Sequence, residues 1–343
     1  MIQTKVKFPS VIKCMLVACL LTACTPTVML PGPQTVDATL HHENYITADN
    51  LSLPVKRWLP NNQPISSIII ALHGFNDYSN FFAASAQQLT DQGVASFAYD
   101  QRGFGAAPHP GIWAGGQTMA QDLSHFITLI KKQYPGIPLY VLGESMGGAV
   151  VIVTMTQPQA PQVEGIILAA PAVWGESTMP WYQRWALTLG SYTLPWMTLS
   201  PNGLKIKASD NLPMLRELGR DPLIIKETRI DAMHGLTQLM GLALERSRDL
   251  QSNTLILYGE LDEVIPKVPT AMMLQRLPKS AQDKQTVALY ETGYHMLLRD
   301  LNARLPRQDI IAWINNPKRV LPSGADKRSL EHLLRGTYLN TGK

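Results

Sequence analysis

Three kinds of side chain that together can transfer an acyl group stand at separated points of this 343-residue sequence. They are a serine in Gly143-Glu144-Ser145-Met146-Gly147, a run of acids at Glu260, Asp262 and Glu263, and a histidine at His295. A serine hydroxyl is a weak nucleophile at neutral pH and needs a base within hydrogen-bond reach. Imidazole titrates near working pH, so His295 can take a proton and return it. An anion must hold that base in one tautomer, and spacing alone leaves all three acids eligible. The oxyanion of an acyl-transfer intermediate needs preset donors; the backbone N–H of Met146, first after the serine, is one.

Such chemistry requires elements that bring distant residues to one place. Residues 139–142 form an apolar, β-favouring run, and a small-residue run at 147–155 follows, so the serine falls on a sharp strand-to-helix turn. The turn is too tight for side chains at Gly143 and Gly147. Further strands are expected at 65–72, 94–99, 163–170, 254–258 and 286–290, with helices at 80–91, 118–134 and 303–314. Two earlier strands, 41–46 and 51–59, are joined by the turn Ala48-Asp49-Asn50. Such alternation predicts a parallel sheet covered by helices, with ligands at the C-terminal ends of the strands. Those ends carry His73-Gly74-Phe75-Asn76, Asp100-Gln101-Arg102-Gly103-Phe104-Gly105, Ser145, Gly259-Glu260-Leu261-Asp262 and Gly293-Tyr294-His295-Met296-Leu297.

In that order, the motifs His-Gly, Asp-x-Arg-Gly-x-Gly, Gly-x-Ser-x-Gly-Gly, Gly-x-x-Asp and Tyr-His-x-Leu resemble those of the α/β-hydrolases. The narrower resemblance, over about residues 50–315, is to the bacterial monoacylglycerol lipase and lysophospholipase group. It implies an α/β fold of that type: a mostly parallel sheet with helices on both faces and a helical cap inserted at about 174–236, within a domain spanning 39–317. It selects Asp262 as the acid beside His295 and Ser145, and adds the N–H of Phe75 as second oxyanion donor. It makes His73 a loop-holding residue and Asp100 and Arg102 turn builders. The cap is rich in large apolar side chains, and Trp174, Met179, Trp181 and Trp185 are the expected contacts for an acyl chain. A monoacylglycerol or lysophospholipid is the expected substrate. A small-ester carboxylesterase, a peptidase of the proline-iminopeptidase type and a non-catalytic envelope lipoprotein are the other readings.

Neither metal nor organic cofactor is implied. His41 and His42 are adjacent in a strand and face opposite sides, so they do not readily share an ion. His109, His125, His234 and His332 have no ligand spacing, and no glycine-rich phosphate loop is present. All three cysteines, Cys14, Cys19 and Cys24, lie in or at the edge of an N-terminal leader, which leaves no thiol for a disulfide in the remaining domain. That leader has lysines at 5, 7 and 13 and an apolar run at 14–21, too short to span a bilayer. Its end, Leu20-Leu21-Thr22-Ala23-Cys24, resembles the lipobox of bacterial lipoproteins. The resemblance implies a signal peptide at 1–23, a lipidated Cys24 as membrane anchor, and outer-membrane sorting in a Gram-negative cell. Residues 24–38, with Pro26, Pro31 and Pro33, are expected to be an extended tether. The formal net charge of +4 includes the three leader lysines, so the rest is close to neutral and nucleic-acid binding is not expected. A basic tail at 318–343 reads as a surface helix docked by its leucines, with anionic lipid as the other reading. No pattern fixes an oligomeric state.

Overall fold

Five strands are buried along their whole length: β4 (Ser67–Leu72), β5 (Val94–Tyr99), β6 (Leu139–Glu144), β7 (Gly165–Ala169) and β10 (Thr254–Gly259). A strand with no polar face must be covered on both sides, and the computed structural model, which describes residues 25–61, 63–200, 206–328 and 333, shows how. Along β4, Ile68, Ile70 and Leu72 pack with Leu123 and Phe126 of α2 (Gly116–Gln133) and Val150 of α3 (Met146–Met155). The alternate residues, Ile69 and Ala71, pack with Ala86 and Leu89 of α1 (Ala83–Thr90) and Ile310 and Trp313 of α8 (Arg304–Asn315). The period-2 alternation of a strand therefore divides one apolar run between two cores.

β1 (Thr39–Leu40), β2 (Asn44–Ile46) and β3 (Ser52–Trp58) add an antiparallel edge, and β11 (Gln285–Tyr290) closes the other side. The sheet order is β1-β2-β3-β5-β4-β6-β7-β10-β11, and every pairing from β5 to β11 is parallel. The strands expected from sequence are present within a few residues of their expected limits. The helix expected at 80–91 is split into a 3-10 turn at Ser79–Phe82 and α1. A further helix, α7 (Lys267–Arg276), falls in a stretch with no clear apolar period.

Between β7 and β10 lies the insertion. It holds α4 (Trp181–Thr193), α5 (Leu212–Arg220) and a short antiparallel ribbon of β8 (Thr198–Leu199) and β9 (Thr228–Arg229). Its return helix α6 (Ile230–Arg246) starts at Ile230, ahead of the apolar run that begins at Leu236. There Tyr192 of α4 packs edge-on against His234 of α6, 6.2 Å between ring centres.

The two ends dock on this body. Thr27 N–H donates to Asp231 Oδ2 at 3.0 Å, Met29 N–H to the Trp113 carbonyl at 2.8 Å, and Gly32 N–H to Asp49 Oδ2 at 2.9 Å. The stretch expected to be an extended tether lies against the body, where its N–H groups find acceptors. At the other end, Arg328 pairs with Glu260 and Glu291 at 3.1 and 2.7 Å, and Leu333 is buried beside Tyr258, Ala271 and Leu289. The leader, Cys24 and most of the tail beyond Arg328 lie outside the described residues. Among those described, no helix is long and apolar enough to cross a membrane.

Candidate active site

Ser145 stands where β6 turns into α3, with φ 54° and ψ −117°, a conformation that costs a non-glycine residue energy and persists only when its surroundings impose it. The surroundings are backbone at close range. A Cβ on Gly147 would come 2.4 Å from the Leu72 carbonyl oxygen, and one on Gly143 would come 2.4 Å from Gly147 itself. Ser145 N–H donates to the Ala169 carbonyl at 3.0 Å, while its own carbonyl accepts from Ala149 and Ala172. Its Oγ makes no helix cap and no hydrogen bond among the described residues, so the hydroxyl is left available.

His295 follows β11. Its Nδ1 donates to Asp262 Oδ2 at 2.8 Å, and both side chains are buried. Asp262 Oδ1 in turn accepts the N–H groups of Val264 and Ile265 at 2.8 and 2.9 Å, which fixes the carboxylate. The tautomer follows from this geometry: the proton sits on Nδ1 and Nε2 is the free base. Burial pulls the imidazolium pKa down, but Asp262, by charge and hydrogen bond, with Glu144, outweighs burial, and the ring titrates above its ordinary range. The other two acids are engaged elsewhere. Glu260 pairs with Arg328, and Glu263 accepts from the N–H of Lys207. Of the three carboxylates open to choice in the sequence, Asp262 is the one bonded to the histidine.

The loop after β4 approaches the serine from the neighbouring strand. A Cβ on Gly74 would lie 3.3 Å from Ser145 Cβ, so the backbone there passes close beside the serine. Neither Phe75 N–H nor Met146 N–H is used in the loop and turn hydrogen bonds among the described residues. His73 holds this loop by both ring nitrogens. Nδ1 donates to the Gly74 carbonyl at 2.8 Å and Nε2 accepts from Gln101 N–H at 2.9 Å. That pair of bonds requires the neutral ring, and burial keeps the His73 pKa below its usual value. The turn after β5 is built by its charged residues. Asp100 accepts from the N–H groups of Ser79 and Ala106, and Arg102 grips Asp122 and Asp49 with bonds of 2.6–2.9 Å.

The insertion bonds to the loop after β4 and to the histidine loop. Asn76 Nδ2 donates to Thr228 Oγ1 at 2.6 Å, and Tyr78 OH to Asp221 Oδ2 at 2.7 Å. Met296 N–H donates to the Ala208 carbonyl at 3.0 Å, and Ser209 Oγ donates to Asp300 Oδ1 at 2.6 Å. Of the four expected acyl-chain contacts, Trp174 is half-buried against the core and Met179 half-buried. Trp181 and Trp185 are 71% and 63% exposed, on a helix whose outer face is largely apolar. A cleft of about 300 Å³ opens between α5 and the loop after β4, lined by Asp77, Phe81, Met214, Glu217, Asp221 and Arg299 among others.

Sequence reasoning missed the charged residues beside the serine and histidine: Glu144, Arg299, Asp77 and Asp300. Glu144 is visible as an acid ending a buried strand, but nothing along the chain announces its partner, which lies 155 positions away. Among the described residues, no three His, Cys, Asp or Glu side chains are grouped to hold a metal ion.

A serine hydroxyl free of hydrogen bonds on a strained turn, a histidine oriented by a fixed carboxylate and two N–H groups not used in loop or turn bonds are the components that acyl transfer calls for. A family profile described as "Serine aminopeptidase, S33" matches residues 63–302, well over half of the chain. Human monoglyceride lipase is 28% identical over 261 residues, which cover 75% of this chain and 84% of that protein. The monoacylglycerol lipase of Mycolicibacterium smegmatis is 24% identical over 298 residues, covering 81% and 98%. Among solved structures, a soluble variant of monoglyceride lipase from Saccharomyces cerevisiae, in complex with a substrate analog, aligns with a TM-score of 0.67. That alignment has 21% identity and covers 83% of this chain and 98% of the yeast one, a likeness of fold.

Proposed function

The chain belongs to the serine aminopeptidase S33 family of α/β-hydrolases, and we propose that it cleaves carboxylic esters of single-chain lipids, monoacylglycerol first, through an acyl-enzyme on Ser145. The observation that carries this is the His295–Asp262 bond, which leaves Nε2 as the free base in a fold that presents Ser145 on its sharp turn. In this reading Ser145 Oγ attacks the ester carbonyl as His295 Nε2 takes its proton. The Phe75 and Met146 N–H groups receive the oxyanion. Collapse expels the alcohol with the proton from His295, and water, activated by the same base, releases the fatty acid. No serine–histidine hydrogen bond is formed in the free protein; such contacts commonly tighten in the substrate complex.

Support for the substrate comes from relatives matched over most of their length that are monoglyceride lipases, and from the apolar outer face of α4. A peptidase is favoured by the family's description and by the cleft under α5, where Glu217 and Asp221 could receive a free amino group. Against that, Asp221 already accepts from Tyr78 OH, and Arg299 and Arg307 stand in the same cleft. A panel of monoacylglycerols, lysophospholipids, short p-nitrophenyl esters and aminoacyl amides decides between these readings. Monoacylglycerol is expected to give the highest kcat/KM, and preference for the amides would sink the lipid assignment. Ser145→Ala is expected to stay folded and lose nearly all turnover; unchanged turnover would remove the serine from the mechanism.

The same reading includes a lipid anchor at Cys24, on the outer membrane of a Gram-negative cell, supported by the leader pattern and the exposed aromatic residues of α4. Cys24→Ser is expected to abolish labelling by radioactive fatty acid and to release the protein from membranes. Labelling that survives the substitution would refute the anchor.

A further inference from the structure

One guanidinium, on the loop that follows β11, bridges the end of β6 and the loop that follows β4. Arg299, four residues beyond His295 in sequence, places Nη2 2.6 Å from Glu144 Oε1 and 2.7 Å from Asp77 Oδ2. Glu144 is the residue before Ser145. Asp77 belongs to the loop of Phe75, and its N–H donates to the Gly74 carbonyl at 3.3 Å. All three side chains are buried, Glu144 2% exposed, Asp77 6% and Arg299 8%. Arg299 Nε and Glu144 Oε2 have no partner among the described residues, so the junction rests on the single nitrogen Nη2.

We propose that Arg299 is a positioning residue for acyl transfer, holding the oxyanion loop, the serine turn and the histidine loop in register through Asp77 and Glu144. The proposal rests on the reading of Ser145 as nucleophile. Stability alone is a poor reason for this arrangement. Buried ion pairs are often replaced by apolar residues with no loss of stability, because desolvation offsets their attraction. What a single three-way junction supplies is mutual placement of groups that must meet within a fraction of an ångström, where a misplacement of 1 Å can cost about 100-fold in rate. Of the junction's side chains, Glu144 favours the imidazolium formed during the reaction and Arg299 opposes it.

The test uses the whole folded protein and two rates: phosphonylation of Ser145 by a fluorophosphonate probe, and hydrolysis of a monoacylglycerol. In Arg299→Met both rates are expected to fall about 10- to 100-fold, with KM changed little, and Arg299→Lys, which keeps a cation, to recover most of the loss. A second readout separates positioning from mere packing. The charged groups about His295 are Asp262 from the β10 loop, Glu144 from the serine turn, and Arg299 and Asp300 from its own loop, with Asp77 acting through Arg299. Glu144 raises the His295 pKa and Arg299 lowers it. The acid limb of the pH profile is therefore expected to move down in Glu144→Gln and up in Arg299→Met. If Arg299→Met does not fold, the neutral triple variant Asp77→Asn, Glu144→Gln, Arg299→Met, which leaves no buried charge at the junction, is expected to fold and remain slow. A folded variant lacking Arg299 whose two rates and acid limb match the unaltered protein overturns the proposal. Absence of Ser145 labelling in the unaltered protein overturns the nucleophile reading itself.

Discussion

Both oxygens of Asp262 are committed, and this makes the acid the most readable test of the site. Oδ1 receives two backbone N–H groups, so an asparagine there would keep its carbonyl oxygen on them and turn its NH2 toward His295. The ring would then have to accept at Nδ1 and carry its proton on Nε2, the wrong tautomer for a base. Asp262→Asn is expected to lower kcat by about four orders of magnitude, while Glu260→Gln and Glu263→Gln, which alter other pairs, stay close to the unaltered protein. A crippled glutamine variant would reassign the acid. The pH profile adds a sign. The base works only when neutral, and its pKa is raised, so kcat/KM should climb with pH through a value above the ordinary imidazole pKa of about 6.5. Without the Asp262 charge, burial dominates and the limb should move down. At this scale the sequence was most legible where chemistry demands a residue type in a fixed local frame: Ser145, His295 and the turn glycines. The choice among three acids within four residues was open to composition and spacing, and the resemblance selected Asp262. The junction of Arg299, Glu144 and Asp77 had no local signature at all.

At the scale of elements, the buried strands were legible because a strand covered on both faces must be apolar throughout. The insertion was expected at about the right place, but its internal elements and its attachment were not legible. α4 exposes Trp181, Trp185 and Leu189, so its apolar residues mark no buried stripe, and its attachment is largely polar and distant in sequence. Residues 206–211 show this best. Lys207 N–H binds Glu263, Ala208 receives Met296 N–H, Ser209 donates to Asp300, and Asn211 Nδ2 donates to the Arg299 carbonyl. This strap joins the insertion to the histidine loop, and Asp300, which also accepts Tyr294 N–H at 2.8 Å, is its hub. Burial, assisted by the charges of Asp210 and Glu144, outweighs those two hydrogen bonds and pushes the Asp300 pKa up to about 6. An acid whose pKa is raised by folding favours the native state less as it ionises. The Asp300 contribution to stability should therefore decline as pH rises from about 4, its unfolded value, to about 6, and stay level above. Asp300→Asn, which cannot ionise, should gain on the unaltered protein over that interval and hold a constant offset beyond it. Thermal melts from pH 4 to 8 read this directly, and parallel curves would exclude Asp300 as the titrating hub.

At the scale of the molecule, the N-terminal segment ties parts of the fold that lie far apart in sequence. Thr27 reaches Asp231, 204 positions away, at the start of α6 where the insertion returns. Met29 reaches the Trp113 loop, and Gly32 reaches Asp49, whose carboxylate is gripped by Arg102 together with Asp122. Three prolines in a dozen residues describe a stiff extended stretch equally well whether it is free or applied to a surface, which is why composition pointed to a spacer. The acceptors that meet this segment are on the β2–β3 turn, the Trp113 loop and α6. If Cys24 is the anchor, its neighbour Thr25 already lines a cavity with Tyr192 and His234, so the segment provides little slack between body and membrane. Each backbone hydrogen bond contributes about 0.5–1.5 kcal/mol net, and ordering the segment costs part of that. A protein beginning at Asp37 should therefore melt about 2–4 °C below one beginning at Thr25. Turnover of a soluble short ester should be nearly the same in both, because none of these contacts touches Ser145, His295 or Asp262. Equal melting temperatures would mean that the segment rests on the body without stabilising it, and the spacer reading would return.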